Sequence, residues 1–183
     1  MQRTRVVLIA TLVVLALPAT AEASHGDGGG SKHDFATGSF RNALPVTGGP
    51  LQGSFAAHSD PFGADVSGYF RGSGDVDGPA PLDSGFTVQG HMTCLEVEGN
   101  RAAFRYRFER NTGSTEPFEG GGIQIFVEDN GPPKGGTPLD AMAFDAPEPP
   151  GLFDLHATLC DDPESRVYDP IDAGDIVVHD AAG

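Results

Sequence analysis

The sequence predicts an all-β domain, an antiparallel sandwich or up-and-down barrel of about eight to nine strands, behind an N-terminal signal peptide. Three observations predict it. Short segments of apolar–polar alternation recur between Gly, Pro, Asn and Asp residues. Gly and Pro together supply 41 of the 183 residues, enough turn formers for many tight connections. After the leader, no window of about 11 residues carries the 3.6-residue stripe of an amphipathic helix.

The elements follow in order. Residues 1–23 read as a secretory signal peptide: Arg3 and Arg5, an apolar run over residues 6–17, Pro18, then the small-residue site Ala21-Glu22-Ala23. The run is shorter than the roughly 20 residues that span a bilayer as a helix. Residues 24–33 form a flexible Gly/Ser leader, and residues 34–183 a single β-domain. The first strand covers residues 35–41. Residues 51–58 put Leu51, Phe55 and Ala57 on one face, and residues 66–71 do the same with Val66 and Phe70. In between, Leu44-Pro45-Val46-Thr47-Gly48 spells a sortase signal, but over 130 residues follow it, so it reads as a turn. Residues 86–97 make a long strand. Residues 101–109 set Ala102, Phe104, Tyr106 and Phe108 against Arg101, Ala103, Arg105 and Arg107. Residues 122–128 point Ile123, Ile125 and Val127 one way. Weaker strands are expected at 139–144 and 152–159, and residues 176–179 close the chain.

The hairpin around Glu98-Gly99-Asn100 admits two registers. A two-residue Gly-Asn turn pairs Val97 with Ala102 and sets Leu95 beside Phe104. A three-residue loop instead places Phe86, Val88, Met92 and Cys94 on the face of Phe104, Tyr106 and Phe108. The second is preferred because it buries more apolar side chains and a cysteine. Leu95 and Val97 then fall out of phase, which calls for a bulge near Thr93.

Three segments carry a resemblance: Thr93-Cys94-Leu95-Glu96-Val97-Glu98-Gly99-Asn100, Val127-Glu128-Asp129-Asn130-Gly131, and Ile176-Val177-Val178-His179-Asp180-Ala181. Together they resemble TCLxVxGN, VxDNG and IVVHDA segments of uncharacterised secreted β-rich proteins of high-GC Gram-positive bacteria. The resemblance spans residues 50–181 and implies fold and location, with no activity or catalytic residues attached.

Chemistry is bounded by charge and by missing motifs. Acidic residues outnumber basic ones 26 to 11, for a net charge of −15. That excludes nucleic-acid binding by charge neutralisation and disfavours anionic lipid; no membrane association is expected after signal cleavage. No Gly-x-Ser-x-Gly elbow, P-loop or complete dinucleotide fingerprint occurs. The absence of Trp argues against sugar-processing sites built on stacking. Cys94 and Cys160, the only cysteines, are expected to form a disulfide in an oxidising compartment. The chain has use for it: Leu, Ile, Val and Phe make up only 33 of the 160 residues after residue 23.

Arg101, Arg105 and Arg107 on one strand face offer a candidate anion-binding stripe. The plainer reading is pairing with carboxylates of neighbouring strands, in which case an exposed Arg105→Ala costs under about 1 kcal/mol. Asp161, Asp162, Glu164, Asp169, Asp172 and Asp175 are candidate ligands for a weak, stabilising calcium ion; no other cofactor is implied. The functional expectation is a secreted, non-catalytic β-domain with a binding or envelope-associated role and an extracellular or cell-envelope partner. The alternative is a secreted enzyme or small-ligand carrier with a site inside a β-barrel. An interior filled by Phe, Leu and Val favours the first, and polar groups facing inward favour the second.

Overall fold

Period-two alternation gives each strand one apolar face, and the faces are buried together when the sheet curls on itself. The computed structural model describes residues 33–43, 49–60, 63–76, 84–132 and 139–181. The expected signal peptide, nearly all of the leader and the Leu44–Gly48 turn lie outside these. The strands are β1 (Asp34–Ala43), β2 (Pro50–Ser59), β3 (Ser67–Val76), β4 (Ser84–Glu98), β5 (Arg101–Gly113), β6 (Gly122–Glu128), β7 (Ala141–Phe144), β8 (Asp169–Pro170) and β9 (Ala173–His179). They form one antiparallel sheet in the order β8-β7-β6-β5-β4-β3-β2-β1-β9. It is an up-and-down meander, curled into a half-barrel, whose last strand returns to pair with the first.

The concave side is packed with apolar side chains from β1 to β7 and β9, among them Phe40, Phe55, Phe70, Phe104, Phe108 and Ile125. Ring contacts tie distant strands together. Phe70 stacks on Tyr106 at 4.1 Å between centroids, and Phe55 lies 4.9 Å from Phe104. Glycine makes the curl possible at one crossing: a Cβ on Gly53 would sit 2.7 Å from the Phe40 ring that covers it.

Two expectations are corrected. The segment expected as a strand over 152–159 is mostly a helix, α1 (Pro150–His156). Pro150 presets φ for a first helical turn, and the element is too short to show a stripe. It lies on the outer side of the sheet and buries Phe153 there, while Leu155 is 70% exposed.

The hairpin uses the two-residue turn, not the three-residue loop. Glu98 pairs with Arg101, Val97 with Ala102 and Leu95 with Phe104, and Gly99 takes φ 59° in the turn. The bulge at Thr93 is present, between Met92 and Cys94. The extra residue reverses the phase of β4, so Val88, Met92 and Leu95 all face the core. Cys94 is left on the outer side. A second irregularity, at Glu109 on β5, cancels the offset before the far end of the hairpin.

The two margins of the curled sheet meet at a seam made by side chains. Strand β9 uses one edge to pair with β1. On its other edge, the N–H of Ile176 donates to Asp140 Oδ2 (2.8 Å) and that of Val178 to Asp129 Oδ2 (3.1 Å). Asp140 Oδ1 also accepts from the N–H of Asn130, and its carbonyl from that of Ile171. The seam brings together residues from segments 93–100, 127–131 and 176–181. Asn100 Nδ2 donates to the Asp129 carbonyl at 2.7 Å, and the N–H of Gly99 donates to Asp180 Oδ2 at 3.0 Å.

Candidate functional site

The outer side of the sheet carries two different surfaces. The first, over β4, β5 and β6, is covered by residues 148–168. The disulfide Cys94–Cys160 joins sheet to cover at a sequence separation of 66. A loop of that length corresponds to roughly 4 kcal/mol in the chain-entropy picture. Phe126 and Phe153 are fully buried beneath the cover.

The arginine stripe lies under this cover. Arg101 donates through Nε to Glu128 Oε1 at 2.8 Å, a cross-strand neighbour, and its guanidinium sits 5.2 Å from the Tyr168 ring centroid. Arg105 donates through Nε to the Leu159 carbonyl (2.7 Å) and through Nη1 to Glu148 Oε2 (3.2 Å). Arg107 reaches Asp154 (2.7 Å) and the Gly120 carbonyl (2.8 Å), and lies over Phe153. The three guanidiniums therefore fasten the cover to the sheet, and each is paired with a carboxylate of the chain. Arg105 is not on an exposed face: it is 5% exposed, so the small cost expected for an exposed arginine does not apply to it. Its cross-strand neighbour Gln124 is 1% exposed, and neither of its side-chain polar atoms has a partner.

The acidic candidates for calcium are dispersed. Asp161 faces Arg166 at 3.3 Å, and Asp162 accepts from the N–H of Glu164. Glu164 lies 3.9 Å from Arg101, Asp169 is in β8, and Asp175 in β9 sits beside Ser39 of β1. Among the described residues, no three His, Cys, Asp or Glu side chains are grouped to hold a metal ion. The same region repels itself: the carboxyl of Glu98 is raised above the usual carboxylate range, first by Glu164, then by desolvation and by Asp162. His91 and His156 each face a carboxylate, Glu109 at 2.8 Å and Glu148 at 3.4 Å. Among the described residues, no serine is hydrogen-bonded to either histidine.

The second surface is open. It is a trough of about 500 Å³ running across β9, β1, β2 and β3. Register explains it. Phe40, Gly53 and Gly72 form one cross-strand row that faces the core, so the trough sees only its backbone. The flanking rows point outward as walls: Ser39, Ser54 and Arg71 on one side, Arg41, Gln52 and Ser73 on the other. The walls continue over β4 and β5, where Gln89 and Arg110 extend the first row and Thr87 and Thr112 the second. Gln52 Nε2 donates to Ser73 Oγ at 3.2 Å, and Thr87 and Thr112 share a hydroxyl bond of 2.8 Å. Sequence reasoning missed this surface because it looked for clustered residues along the chain, and these come from six strands.

Among the described residues, Arg101, Arg105, Arg107 and Arg166 form ion pairs, whereas Arg41, Arg71 and Arg110 form none. All three are exposed: Arg41 and Arg71 line the trough, and Arg110 stands in the continuation of the first row on β5. The only carboxylate in either wall is Asp175, at the β9 end. No described helix is long and apolar enough to cross a membrane. Comparison with family models, with curated proteins and with solved structures finds no match to this chain.

Proposed function

We propose that the chain is a secreted, non-catalytic β-domain that binds an extracellular or cell-envelope partner through the outside of its sheet. The observation that carries this reading is the filled interior. The concave side is occupied by Phe, Leu, Ile, Val and Met side chains, with Phe104, Ile125 and Val127 at 0% exposure. A carrier or barrel enzyme needs inner volume and convergent polar groups, whereas this packing leaves the outer face as the surface for recognition. The Cys94–Cys160 bond is compatible with an oxidising compartment and supports export through the signal peptide at residues 1–23. The meeting of the TCLxVxGN, VxDNG and IVVHDA segments at one seam supports reading them as a single family motif.

The test probes the interior. The native domain should take up no anilinonaphthalene sulfonate, and Phe104→Ala, which opens a void beside Phe55, should gain binding. Uptake by the unaltered protein at the same level as the variant would overturn the filled-interior argument and favour the carrier.

A further inference from the structure

We propose that the trough across β9 to β5 binds a linear anionic polysaccharide, held by Arg41, Arg71 and Arg110. The inference deepens the proposed binding role and rests on it.

Charge is the first argument. In a chain of net charge −15, each arginine without a carboxylate partner among the described residues stands in these two walls. A guanidinium offers a planar fork of donors that matches a carboxylate or sulfate oxyanion bidentately. Arg71 and Arg110 are separated in their row by Gln89 alone. With strands about 4.8 Å apart, that sets them roughly 9.6 Å from one another, a repeat suited to charges recurring along a polymer.

Shape is the second. The trough crosses four strands and its two outward rows run on over β4 and β5, a track of roughly 24 Å in all, and residues two apart on a strand set the rows about 6.8 Å apart. That width admits one extended chain and excludes an α-helix, whose diameter is about 10–12 Å.

Lining is the third, and it selects among extended anions. The walls between the arginines carry hydroxyls and amides from Ser39, Ser54, Ser73, Gln52 and Gln89. These groups donate and accept, as sugar hydroxyls do. An acidic peptide would need a free strand edge or side-chain pockets, but the floor from β1 to β5 is backbone of strands already paired on both sides, and the outer edge of β9 is bonded to Asp140 and Asp129. A nucleic-acid strand would need aromatic platforms for its bases, and both walls lack aromatic residues. Tyr69, 45% exposed and bonded to Gln89, stands just outside one wall, a single ring that cannot stack successive bases.

The experiment measures binding by the intact, oxidised chain to short dextran sulfate, uncharged dextran and poly-glutamate. Dextran sulfate should bind, weakening as salt screens the arginines, and the other two should bind at least tenfold more weakly. Arg71→Gln with Arg110→Gln should reduce dextran sulfate affinity at least tenfold while the near-ultraviolet dichroism stays unchanged, since both side chains are exposed. Equal binding of poly-glutamate overturns the polysaccharide assignment, and equal binding of uncharged dextran overturns the role of the arginines. No binding by the unaltered protein, or no loss in the double variant, overturns the site. The proposed function is tested separately, by probe uptake into the interior, so either can fail alone.

Discussion

Replacing Arg105 by alanine separates a surface charge from a buried tie. The side chain is 6% exposed, and its partner Glu148 is 19% exposed. The change removes two charge-assisted bonds, one to Glu148 and one to the Leu159 carbonyl beside the disulfide. Removing one partner of a buried pair costs about 3–5 kcal/mol, because the other charge stays desolvated. His156 Nδ1 lies 3.4 Å from the same carboxylate and offsets part of the loss, which places the expected value near 3 kcal/mol. Urea unfolding followed by fluorescence or dichroism reads it as a shift in midpoint at constant slope. Arg71→Ala, exposed and unpaired, is the control and should stay within about 0.5 kcal/mol. Arg105→Met combined with Glu148→Leu should recover part of the stability, since apolar replacement of both partners is often near neutral. A loss below about 1 kcal/mol in Arg105→Ala would refute the argument and return the stripe to an ordinary solvated face.

Other expectations follow from the same geometry. Removing the disulfide with Cys94→Ala and Cys160→Ala should destabilise the domain by roughly 4 kcal/mol in the same assay, and the unaltered chain should resist thiol labelling before unfolding. Asp140→Ala strips the acceptor from the N–H groups of Ile176 and Asn130 and should cost about 2–4 kcal/mol, with faster amide exchange at Ile176; Asp140→Asn keeps one acceptor and should lose less. Burial pushes the Tyr168 phenol up to about 12, so its ionised form is disfavoured in the folded state. Stability is therefore unaffected below pH 10 and declines between pH 10 and 12. Absorbance at 295 nm should show a step near pH 12 that Tyr168→Phe abolishes. Millimolar calcium should raise the melting temperature no more than sodium chloride at matched ionic strength, because Asp161, Asp162 and Glu164 are already engaged within the chain.

The strands were legible because burial on one face writes a period of two into the sequence. Leu51, Phe55 and Ala57, or Ala102 through Phe108, announce their own faces. The length of the turn between β4 and β5 was not legible. Val88 and Met92 belong to one parity and Leu95 and Val97 to the other, and only the extra residue at Thr93 lets all four face inward. The break in phase does announce the bulge near Thr93; the choice between a two- and a three-residue turn is what it leaves open, because both bury apolar side chains. Residues 152–159 failed for a related reason: seven helical residues give about two turns, too few to distinguish a stripe from an alternation. The anchoring role of the arginines needed the cover, which is distant in sequence. The trough needed the register of six strands, because Arg41, Arg71 and Arg110 have no common spacing along the chain.

The seam forms no strand ladder of its own, yet it answers a hazard common to open sheets. Exposed strand margins recruit other strands and lead to fibrils. One margin here is β8, two residues long and ending in Pro170, which has no N–H to offer. The other is β9, whose outward N–H groups at Ile176 and Val178 are already claimed by Asp140 and Asp129. A second copy arriving at either end finds few donors free. The carboxylates that close the half-barrel thus also act as stoppers against polymerisation, and they let a thinly cored, glycine-rich sheet persist at high local concentration without templating its own aggregation.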